Sequence, residues 1–477
     1  MERERLKREF LADPDRFIDL FLELVAQNKI LADRCSFLEN RVAELESRLA
    51  KNSSNSSKPP SSDGLSKPLK TKSQREHSGL KPGGQPGHTG SNLRQVNKPD
   101  LIVTHKTCRC GKCGRSLHKT VVLNIARRQV FDIPPQRVEV TEHQAEEKQC
   151  VCGYITAASF PEGITQAVQY GANITAMALT LSATQFVPFG RIREFFAEVF
   201  ELKMSAGTIA RMISRAYHRL ESFEQDAKDV LLDSAVAHSD ETGAGVSGKL
   251  HWIHALCTKN VSLFLPHARR GKEAMKAFGV LLKFRGVLVH DFLRAYFAFD
   301  VLHAMCNAHI LRELRFEYEE MGQQWAKSLK RILLVLKNKA EELKEPWRSP
   351  LVQRYIRTYD RIVAKGLCIN QAPKPSGRRG RTKQSSARNL LERLRDHRED
   401  ILRFALHAGV PFDNNLAERD IRMVKLKLKV SGCFRSQEGI SAFCRIRSYA
   451  ATIRKRGIGM YGAMVALANG HPLALSG

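Results

Sequence analysis

Four short apolar runs in the middle of the chain constrain its fold more than any other feature. They cover residues 234–239, 250–257, 262–266 and 286–290, and a helical period replaces the strand-like pattern over 272–282. Short apolar runs bounded by turn residues are typical of buried β-strands. The sequence therefore predicts three consecutive strands, a helix and a fourth strand.

Acidic residues directly follow the first and fourth of these runs. Asp240 lies in His-Ser-Asp-Glu-Thr-Gly, and Asp291 lies in Val-Leu-Val-His-Asp-Phe-Leu. The order of the elements is that of an RNase H-like α/β core, in which the carboxylates after strands 1 and 4 are neighbours in space. We expect each of the two carboxylates to lie where a buried strand ends and opens to solvent.

A third acid, Glu418, lies on a basic amphipathic helix after the motif Asp-Asn-Asn-Leu-Ala. Three hard oxygen donors suit two Mg²⁺ ions about 3.5–4 Å apart, an arrangement that supports in-line phosphodiester cleavage. Fold analogy favours Asp240 as the ligand that bridges both ions, with Asp291 and Glu418 each on one ion. The acids that compete with these three are Glu241, Asp300, Asp413 and Asp420.

The charge of the chain indicates a polyanionic partner. It has 77 Lys and Arg against 49 Asp and Glu, a formal charge of +28 and a pI near 9.9. Such an excess attracts nucleic acid through counterion release and long-range steering. Basic residues beyond Glu418 suit contacts with DNA phosphates, and they are Arg419, Arg422, Lys425, Lys427 and Lys429.

The first fifty residues carry a heptad pattern. The d positions are Leu24, Leu31, Leu38 and Leu45, and the a positions are Asn28, Cys35, Val42 and Leu49. A single Asn at a favours a two-stranded parallel coiled coil, so we expect a homodimer through this segment. A lone amphipathic helix docked on its own domain is the alternative.

Two different segments follow the heptads. Residues 51–100 are rich in Ser, Pro and Gly, which predicts a flexible basic linker that either contacts DNA or is only solvated. The next segment contains five of the 11 cysteines, in Cys108-Arg-Cys110-Gly-Lys-Cys113 and Cys150-Val-Cys152, with predicted strands over 121–125, 129–133 and 138–141 between them. Cys110, Cys113, Cys150 and Cys152, with Cys108 as an alternative, are candidate ligands of a structural Zn²⁺, whereas reduced metal-free thiols are the other interpretation.

A helical pattern covers residues 165–225. A helix over 174–186 is broken at Pro188 and Gly190, a second covers 191–200, and Ser205 is the predicted N-cap of a third. The third helix presents a basic face with Arg211, Arg215 and Arg219. This outline fits a helix-turn-helix DNA reader, and it fits equally well three helices that support another domain.

Beyond Asp291 the pattern is helical through residue 408, apart from a basic break at 374–383. So long a segment before Glu418 predicts an α-helical insertion in the core. Cys306 and His309 are one helical turn apart, and they are either metal ligands or a hydrogen-bonded core pair, of which the second is preferred.

Several motifs together resemble those of the insertion-sequence-sixty-six family of DDE transposases. They are the leading zipper, the tract Asn-Ser-Ser-Asn-Ser-Ser-Lys-Pro-Pro-Ser-Ser-Asp, Gly-Gly-Gln-Pro-Gly-His, the cysteine clusters, Asp240-Glu241-Thr242, Cys306-Asn-Ala-His309 and Asp413-Asn-Asn-Leu-Ala-Glu418-Arg. The resemblance implies that Asp240, Asp291 and Glu418 are the metal-binding catalytic acids. It also implies Mg²⁺-dependent DNA cleavage and strand transfer at the terminal inverted repeats of a mobile element.

The predicted fold class is multidomain α+β. The predicted segments are a dimerising coiled coil (1–50), a flexible basic linker (51–100), a zinc-finger-like or zinc-ribbon-like DNA-binding domain (101–160), a helix-turn-helix-like region (165–225), the first part of an RNase H-like core (230–300), an α-helical insertion (301–408) and the completion of the core with a basic C-terminal region (409–477). A DNA-binding regulator with an inactive core and a metal-dependent nuclease without strand transfer remain alternatives.

The expected partners are double-stranded DNA at element ends and target, a second copy of the chain, and accessory proteins encoded by the element. The sequence has no signal-peptide pattern and no run of 18 apolar residues, which predicts a cytoplasmic, nucleoid-associated protein without a membrane partner.

Overall fold

The computed structural model describes residues 2–50, 87, 93–134, 136–372 and 384–475. These described residues form two compact units, a larger one drawn from 1–70, 159–193 and 205–477 and a smaller one drawn from 71–158 and 194–204. The fold is mixed α+β, as the sequence predicts.

In chain order the strands are β1 (Glu147–Gln149), β2 (Ile155–Ala157), β3 (Val236–Val246), β4 (Lys249–Cys257), β5 (Ser262–His267), β6 (Val287–His290) and β7 (Leu302–Met305). The last five form one mixed sheet in the larger unit, in the order β5-β4-β3-β6-β7. Pairing is antiparallel among β3, β4 and β5, and parallel from β3 to β6 and from β6 to β7. The four predicted strands and the side-by-side position of the first and fourth are confirmed.

Two features of this sheet differ from the sequence prediction. β3 continues through Asp240 to Val246, because it pairs with β4 along its whole length and turns back through Ser247 and Gly248, both at positive φ. Asp240 therefore lies inside a strand and not at its end. The fifth strand, β7, was not predicted, because its four residues are too few to show a period.

In chain order the helices are α1 (Glu2–Ala12), α2 (Pro14–Ala50), α3 (Ala172–Leu179), α4 (Phe189–Phe200), α5 (Ala206–Arg219), α6 (Glu221–Leu232), α7 (Lys272–Phe278), α8 (Val280–Lys283), α9 (Asn307–Glu319), α10 (Gln324–Glu342), α11 (Pro350–Ile369), α12 (Ser386–Asp396), α13 (Arg398–Leu406), α14 (Asn415–Ser431), α15 (Gln437–Lys455) and α16 (Met460–Asn469). A π-helical turn covers Thr180–Thr184, and 3-10 turns cover Tyr296–Ala298 and Pro346–Arg348.

Alternate residues of the parallel strands belong to different hydrophobic clusters. Ala237 and Leu288 pack in a cluster with side chains from α3, α5, α6, α15 and α16. Val287 and Val289 pack in a second cluster with side chains from α9 to α13. Because side chains alternate across a strand, helices cover both faces of this part of the sheet. The helices between Asp291 and Glu418 therefore share a core with the sheet.

The helices before the sheet also belong to its core. α3 continues into the π-helical turn, and the predicted N-cap of α5 is confirmed, because Ser205 Oγ accepts a hydrogen bond from Thr208 N–H at 3.0 Å. The buried face of α5 carries Ile209, Met212 and Ala216. Ala216 packs in the same cluster as Ala237 of β3. This packing favours the interpretation in which these helices support another domain, and it leaves the basic face of α5 exposed.

α2 is a continuous helix of 37 residues that carries the heptad leucines on its surface. Leu24, Leu31 and Leu38 are each more than half exposed, at 57%, 57% and 53%. A row of exposed leucines at heptad spacing is a surface that a second helix can cover.

In the smaller unit, β1 and β2 form a two-stranded antiparallel sheet. The strands predicted over 121–125, 129–133 and 138–141 are absent from the described residues there, so that prediction is wrong. Val121, Leu123 and Val130 are 82%, 98% and 91% exposed. Apolar alternation alone does not form a strand when no neighbouring strand pairs with it and no face is buried.

Two predicted segments lie outside the described residues. The first is most of the 51–100 linker, of which only residue 87 and residues 93–100 are described. The second is the whole of the basic break at 374–383. Among the helices that the structure does describe, none combines the length and the apolar character needed to cross a bilayer.

Candidate active site

Just beyond the residues that pair in parallel, β3, β6 and β7 place chemically useful side chains in one row. Val236 of β3 pairs with Val287 of β6, which pairs with Leu302 of β7. Continuing this register by four residues aligns Asp240, Asp291 and Cys306. Residues in register on parallel strands face the same side of a sheet, and ligand sites of α/β sheets form at the carboxyl ends of such strands.

Helix α14 brings Glu418 to this row, and the residue before the helix fixes its position. Asn414 is 2% exposed. Its Oδ1 accepts a hydrogen bond from His238 Nδ1 at 2.9 Å, and its Nδ2 donates to Ser239 O at 2.7 Å. Its carbonyl accepts from Glu418 N–H at 3.1 Å. One buried amide thus ties the strand that carries Asp240 to the first turn of the helix that carries Glu418.

The electrostatics of the site indicate that the three acids lie near one another. Burial raises the pKa of Asp240 to about 8, and repulsion from Glu241, Asp291 and Glu418 adds to the effect. Burial, followed by repulsion from Glu241, raises the pKa of Asp291 to about 6. Half-buried carboxylates that repel one another are costly to ionise, and a bound cation relieves that cost.

Hydrogen bonding separates Asp240 from its neighbour Glu241. Glu241 Oε1 accepts from Arg270 Nη2 at 2.7 Å, and its Oε2 accepts from Tyr296 Oη at 2.8 Å. Asp240 Oδ1 accepts only the adjacent Glu241 N–H, at 2.8 Å, and within the described chain no Lys or Arg forms an ion pair with Asp240. Glu241 is therefore engaged in the fold, whereas Asp240 keeps oxygens for a ligand.

The other competing acids are also placed by the structure. Asp420 forms an ion pair with Lys455 at 2.7 Å and accepts from Ser262 Oγ at 2.6 Å. Asp413 Oδ1 accepts from Asn415 N–H at 3.0 Å at the start of α14. Asp300 is exposed. Asp420 and Asp413 thus have structural partners, and the ion pair of Glu418 is with Arg422, whose side chain is 67% exposed, which favours Glu418 as the acid of α14 that can turn to a ligand.

A cavity of about 240 Å³ opens beside Asp291. Arg270, His309, Glu313 and Arg393 contribute charged or polar side chains to its wall. Charges of both signs line this cavity, which suits a substrate that carries phosphate together with a cation.

A second donor group adjoins the acids. The ligand atoms of Cys306, His309 and Glu418 all lie within 4.8 Å of one another, and no other group of three His, Cys, Asp or Glu residues among those described meets that spacing. Asp240, Asp291 and Glu418 do not form one such tight group. Ligands of two ions about 3.5–4 Å apart need not all be that close, so the spread of the acids is compatible with two ions.

The predicted DNA-contacting residues have different environments. Arg211 and Arg215 are exposed on α5, and Arg419, Arg422 and Lys425 are exposed on α14. Arg422 also pairs with Glu418 Oε2 at 3.1 Å, and Lys425 Nζ donates to Gly243 O at 3.2 Å.

Two basic residues with predicted DNA contacts have partners inside the protein. Arg219 donates to Leu467 O at 3.2 Å and to Ala468 O, at the carboxyl end of α16. Lys427 is 9% exposed, donates to Gly432 O at 2.8 Å and lies 3.7 Å from the ring centroid of Phe434. Lys427 is therefore part of the core and not of the predicted phosphate-binding stripe, because its turn of α14 faces inward.

The cysteines of the smaller unit form two separate turns. Gly114 N–H donates to Cys110 O at 2.9 Å, and Gly153 N–H donates to Cys150 O at 2.8 Å. Both glycines have positive φ, at 71° and 86°. Hydrogen bonds to neighbouring residues lower the pKa of Cys110 and of Cys150. The described structure contains each pair but does not gather Cys110, Cys113, Cys150 and Cys152, or the alternative Cys108, into one ligand group.

The structure also contains site residues that the sequence did not single out. Tyr296 accepts from Ser239 Oγ at 2.8 Å and donates to Glu241, and Arg270 holds the same carboxylate. Ordinary Tyr and Arg residues in loops carry no motif, and only the fold brings them together. The run Leu-His-Ala-Met at 302–305 was too short to predict β7, the strand that immediately precedes Cys306.

We expect the Asp240 carboxyl to make the metal-free protein progressively less stable as pH rises from about 4 to about 8. The pKa of Asp240 is about 8 in the folded protein, whereas its ordinary value is 3.8. At Asp240 the folded state therefore binds more protons than the unfolded state in this range, and the contribution of this group to the free energy of unfolding falls as pH rises, by at most about 1.4 kcal/mol per pH unit. Buried histidines with lowered pKa values contribute in the opposite direction, so the effect of Asp240 is measured as a difference from a variant without the carboxyl. Asp240→Asn should reduce this slope in thermal unfolding measured with a chelator. If the dependence of stability on pH were the same in both proteins, the raised pKa of Asp240 would be contradicted.

We expect Asn414→Ala to destabilise the protein by about 1–3 kcal/mol, because it leaves His238 and the carbonyl of Ser239 without their buried partner. Asn415→Ala is the matched control, because Asn415 is exposed and should shift stability by less than about 0.5 kcal/mol. Chemical denaturation measures both, and equal stability of the two variants would exclude the proposed role of Asn414.

Comparison with protein families gives two matches. The family described as "Transposase IS66 family" matches residues 167–442, and "Family of unknown function (DUF6444)" matches residues 16–94. The first match covers more than half of the 477 residues, including the five-stranded sheet and the three acids. A search of curated proteins finds no match.

Proposed function

Because this chain belongs to the transposase IS66 family, we propose that it binds the ends of a mobile DNA element and catalyses Mg²⁺-dependent cleavage and strand transfer there. Asp240, Asp291 and Glu418 are the proposed catalytic acids. The proposal is supported by two observations: the parallel register of β3 and β6, continued two residues beyond its last pair, aligns Asp240 with Asp291, and the charges of Asp291 and Glu418 both raise the pKa of Asp240.

The fold is compatible with this chemistry. A sheet of three antiparallel strands followed by two parallel strands, in the order β5-β4-β3-β6-β7, supports an RNase H-like core with α9 to α13 as its insertion. Two Mg²⁺ ions, when bound, would activate a water or a DNA 3′-hydroxyl and stabilise the leaving oxygen. Asp240, whose pKa is raised by the charges of both other acids, is the proposed shared ligand. Asp291 and Glu418 are the proposed ligands of one ion each.

Exposed basic side chains near the site supply a DNA surface. Arg419, Arg422 and Lys425 extend along α14 from the proposed catalytic Glu418, and their charges can neutralise phosphates next to the scissile bond. Arg211 and Arg215 on α5 offer a second patch. Arg219 is less available, because the end of α16 holds its guanidinium. Replacing Arg211 and Arg215 should reduce the salt dependence of DNA binding, and an unchanged salt slope would remove α5 from the surface.

A structural Zn²⁺ in the segment 101–160 remains part of the proposal. The two cysteine turns, each with a left-handed glycine after its second cysteine, have the backbone form of zinc half-sites. Metal analysis of the full chain should therefore find zinc that Cys113→Ser and Cys150→Ser both remove. Equal zinc in these variants and in the wild type would exclude the four-cysteine site.

Dimerisation through α2 is proposed from its exposed heptad leucines. A second copy would cover them, with Asn28 fixing a parallel register. Sedimentation should give a dimer for the wild type and a monomer when Leu31 and Leu38 are both changed to Lys. A dimer that survives this change would place the contact elsewhere.

The main proposal is tested with purified protein, Mg²⁺ and labelled DNA that carries candidate element ends. We expect nicking or joining at those ends and not at scrambled sequence of equal length. Specific binding without cleavage would indicate a regulator with an inactive core. Cleavage without joined products would indicate a nuclease without strand transfer.

A further inference from the structure

Cys306, His309 and Glu418 bring a thiol, an imidazole and a carboxylate to one point. Cys306 follows β7, His309 lies on the first turn of α9, and Glu418 lies on α14. The three ligand atoms are within 4.8 Å of one another. In tetrahedral zinc sites the metal–ligand bonds of about 2.0–2.3 Å separate the ligands by roughly 3–4 Å, so only a small side-chain adjustment is required.

The alternative is a hydrogen-bonded pair of core residues, but the hydrogen bond between them comes from the His309 backbone N–H, at 3.2 Å from Cys306 O, and not from the imidazole. His309 Nδ1 is buried and has no hydrogen-bond partner. Cys306 Sγ is engaged by Asn414 N–H at 3.3 Å and donates to Glu418 Oε1 over a long 3.9 Å. A buried imidazole nitrogen without a partner costs free energy, which a bound ligand would recover.

We propose that Cys306, His309 and Glu418 form a binding site for a borderline transition-metal ion of the Zn²⁺ class, distinct from the positions proposed for Mg²⁺. Sulfur and nitrogen donors favour Zn²⁺ or Co²⁺, whereas Mg²⁺ requires oxygen donors. Three protein ligands leave the fourth tetrahedral position open. The cavity that His309 shares with Asp291 gives access to the site.

One consequence rests on the proposed function. Glu418 is the only member common to both donor sets, and an ion held by Cys306 and His309 competes for its oxygens. Its Oε2 is already paired with Arg422 at 3.1 Å. A Zn²⁺-class ion should therefore raise the Mg²⁺ concentration needed for half-maximal cleavage, by roughly 10-fold.

The test is a Co²⁺ titration of the full chain, with the thiolate-to-cobalt charge-transfer band and metal analysis as readouts. We expect Cys306→Ser to bind one Co²⁺ fewer than the wild type, and His309→Gln to weaken that equivalent by about 100-fold. Co²⁺ held by the cysteines of 108–152 contributes equally to all proteins and cancels in the comparison. Cys368→Ser, which changes an exposed cysteine on α11, should match the wild type.

The variants are chosen to remain folded. Serine keeps an acceptor for Asn414 N–H, and glutamine keeps most of the volume of histidine, and thermal unfolding without metal verifies both. The same Co²⁺ stoichiometry and band in Cys306→Ser as in the wild type would overturn the site. This binding readout requires no DNA. If neither the wild type nor the variants cleaved DNA, the proposed function would be rejected, but a lower Co²⁺ stoichiometry in Cys306→Ser than in the wild type would still support the metal site.

Discussion

Asp291→Asn should reduce DNA cleavage by at least ~10³-fold while DNA binding keeps the affinity of the wild type. The amide has nearly the same shape as the carboxylate but supplies no charge to a cation, and metal-dependent phosphodiester cleavage depends on that charge. Asp291 lies one residue beyond β6, and continuing the register of β3 and β6 past its last pair, His238 with Val289, aligns it with Asp240. We expect Asp240→Asn and Glu418→Gln to have equally large effects, since each removes one of the three proposed ligands.

The matched control is Asp300→Asn. Asp300 lies on the same loop segment but is exposed, and its loss should leave cleavage within about twofold. Cleavage and binding are measured on the same labelled ends in Mg²⁺. Full activity in Asp291→Asn would exclude it as a metal ligand, and equal losses in both variants would indicate a general effect of negative charge on this loop.

Gly286→Ala should destabilise the protein by about 3 kcal/mol, the upper end of the usual range for overpacking, and should also impair the site. A Cβ at this position would lie 2.6 Å from the carbonyl oxygens of Ser234 and Ala235 and 2.6 Å from the ring of Phe284. The next residue, Val287, donates its N–H to Ala235 O at 2.9 Å, so the backbones of β3 and β6 are already in ladder contact. Alanine must push the two strands apart.

This displacement occurs in the pair of strands that align Asp240 and Asp291. Because a misplacement of about 1 Å can cost 10²-fold in rate, the folded fraction of Gly286→Ala should cleave at least ~10²-fold more slowly. Gly462→Ala is the control, since Gly462 is in helix α16 with nothing within 4 Å of the added Cβ, and it should gain roughly 0.5–1 kcal/mol. Chemical denaturation of Gly286→Ala and Gly462→Ala measures the change in the free energy of unfolding for each variant. A Gly286→Ala protein as stable as the wild type would show that this strand spacing is not tight.

Local pattern was sufficient to predict much of the fold. The four strands and the N-cap at Ser205 follow from runs and residue types that act within a few positions. The side-by-side position of β3 and β6 was predicted from the order of the elements, by analogy with an RNase H-like core. The fifth strand and the length of β3 depend on pairing with distant residues. In the smaller unit, apolar alternation predicted strands that the described residues do not form. Such a pattern yields a strand only when a neighbouring strand pairs with it and its apolar face packs against other residues.

The candidate site was predictable in its acids but not in its supporting contacts. Asp240, Asp291 and Glu418 stand in recognisable motifs. The buried amide of Asn414, the hold of Tyr296 and Arg270 on Glu241, and the position of Cys306 beside Glu418 all require the tertiary structure. For Lys427 the sequence prediction was wrong. The basic residues after Glu418 were predicted to form one DNA-contacting stripe, but Lys427 lies on the buried side of α14.

The tie between Asn414 and the carbonyl of Ser239 joins residues 175 positions apart. Five helices of the insertion, which share a core with β6 and β7, are synthesised between Asp291 and that amide. A polypeptide interrupted anywhere before α14 would lack Glu418 and the amide that anchors it, so on the proposed assignment nascent or truncated copies could not damage the chromosome of their host. Competence to cut would arise only after translation has passed α14.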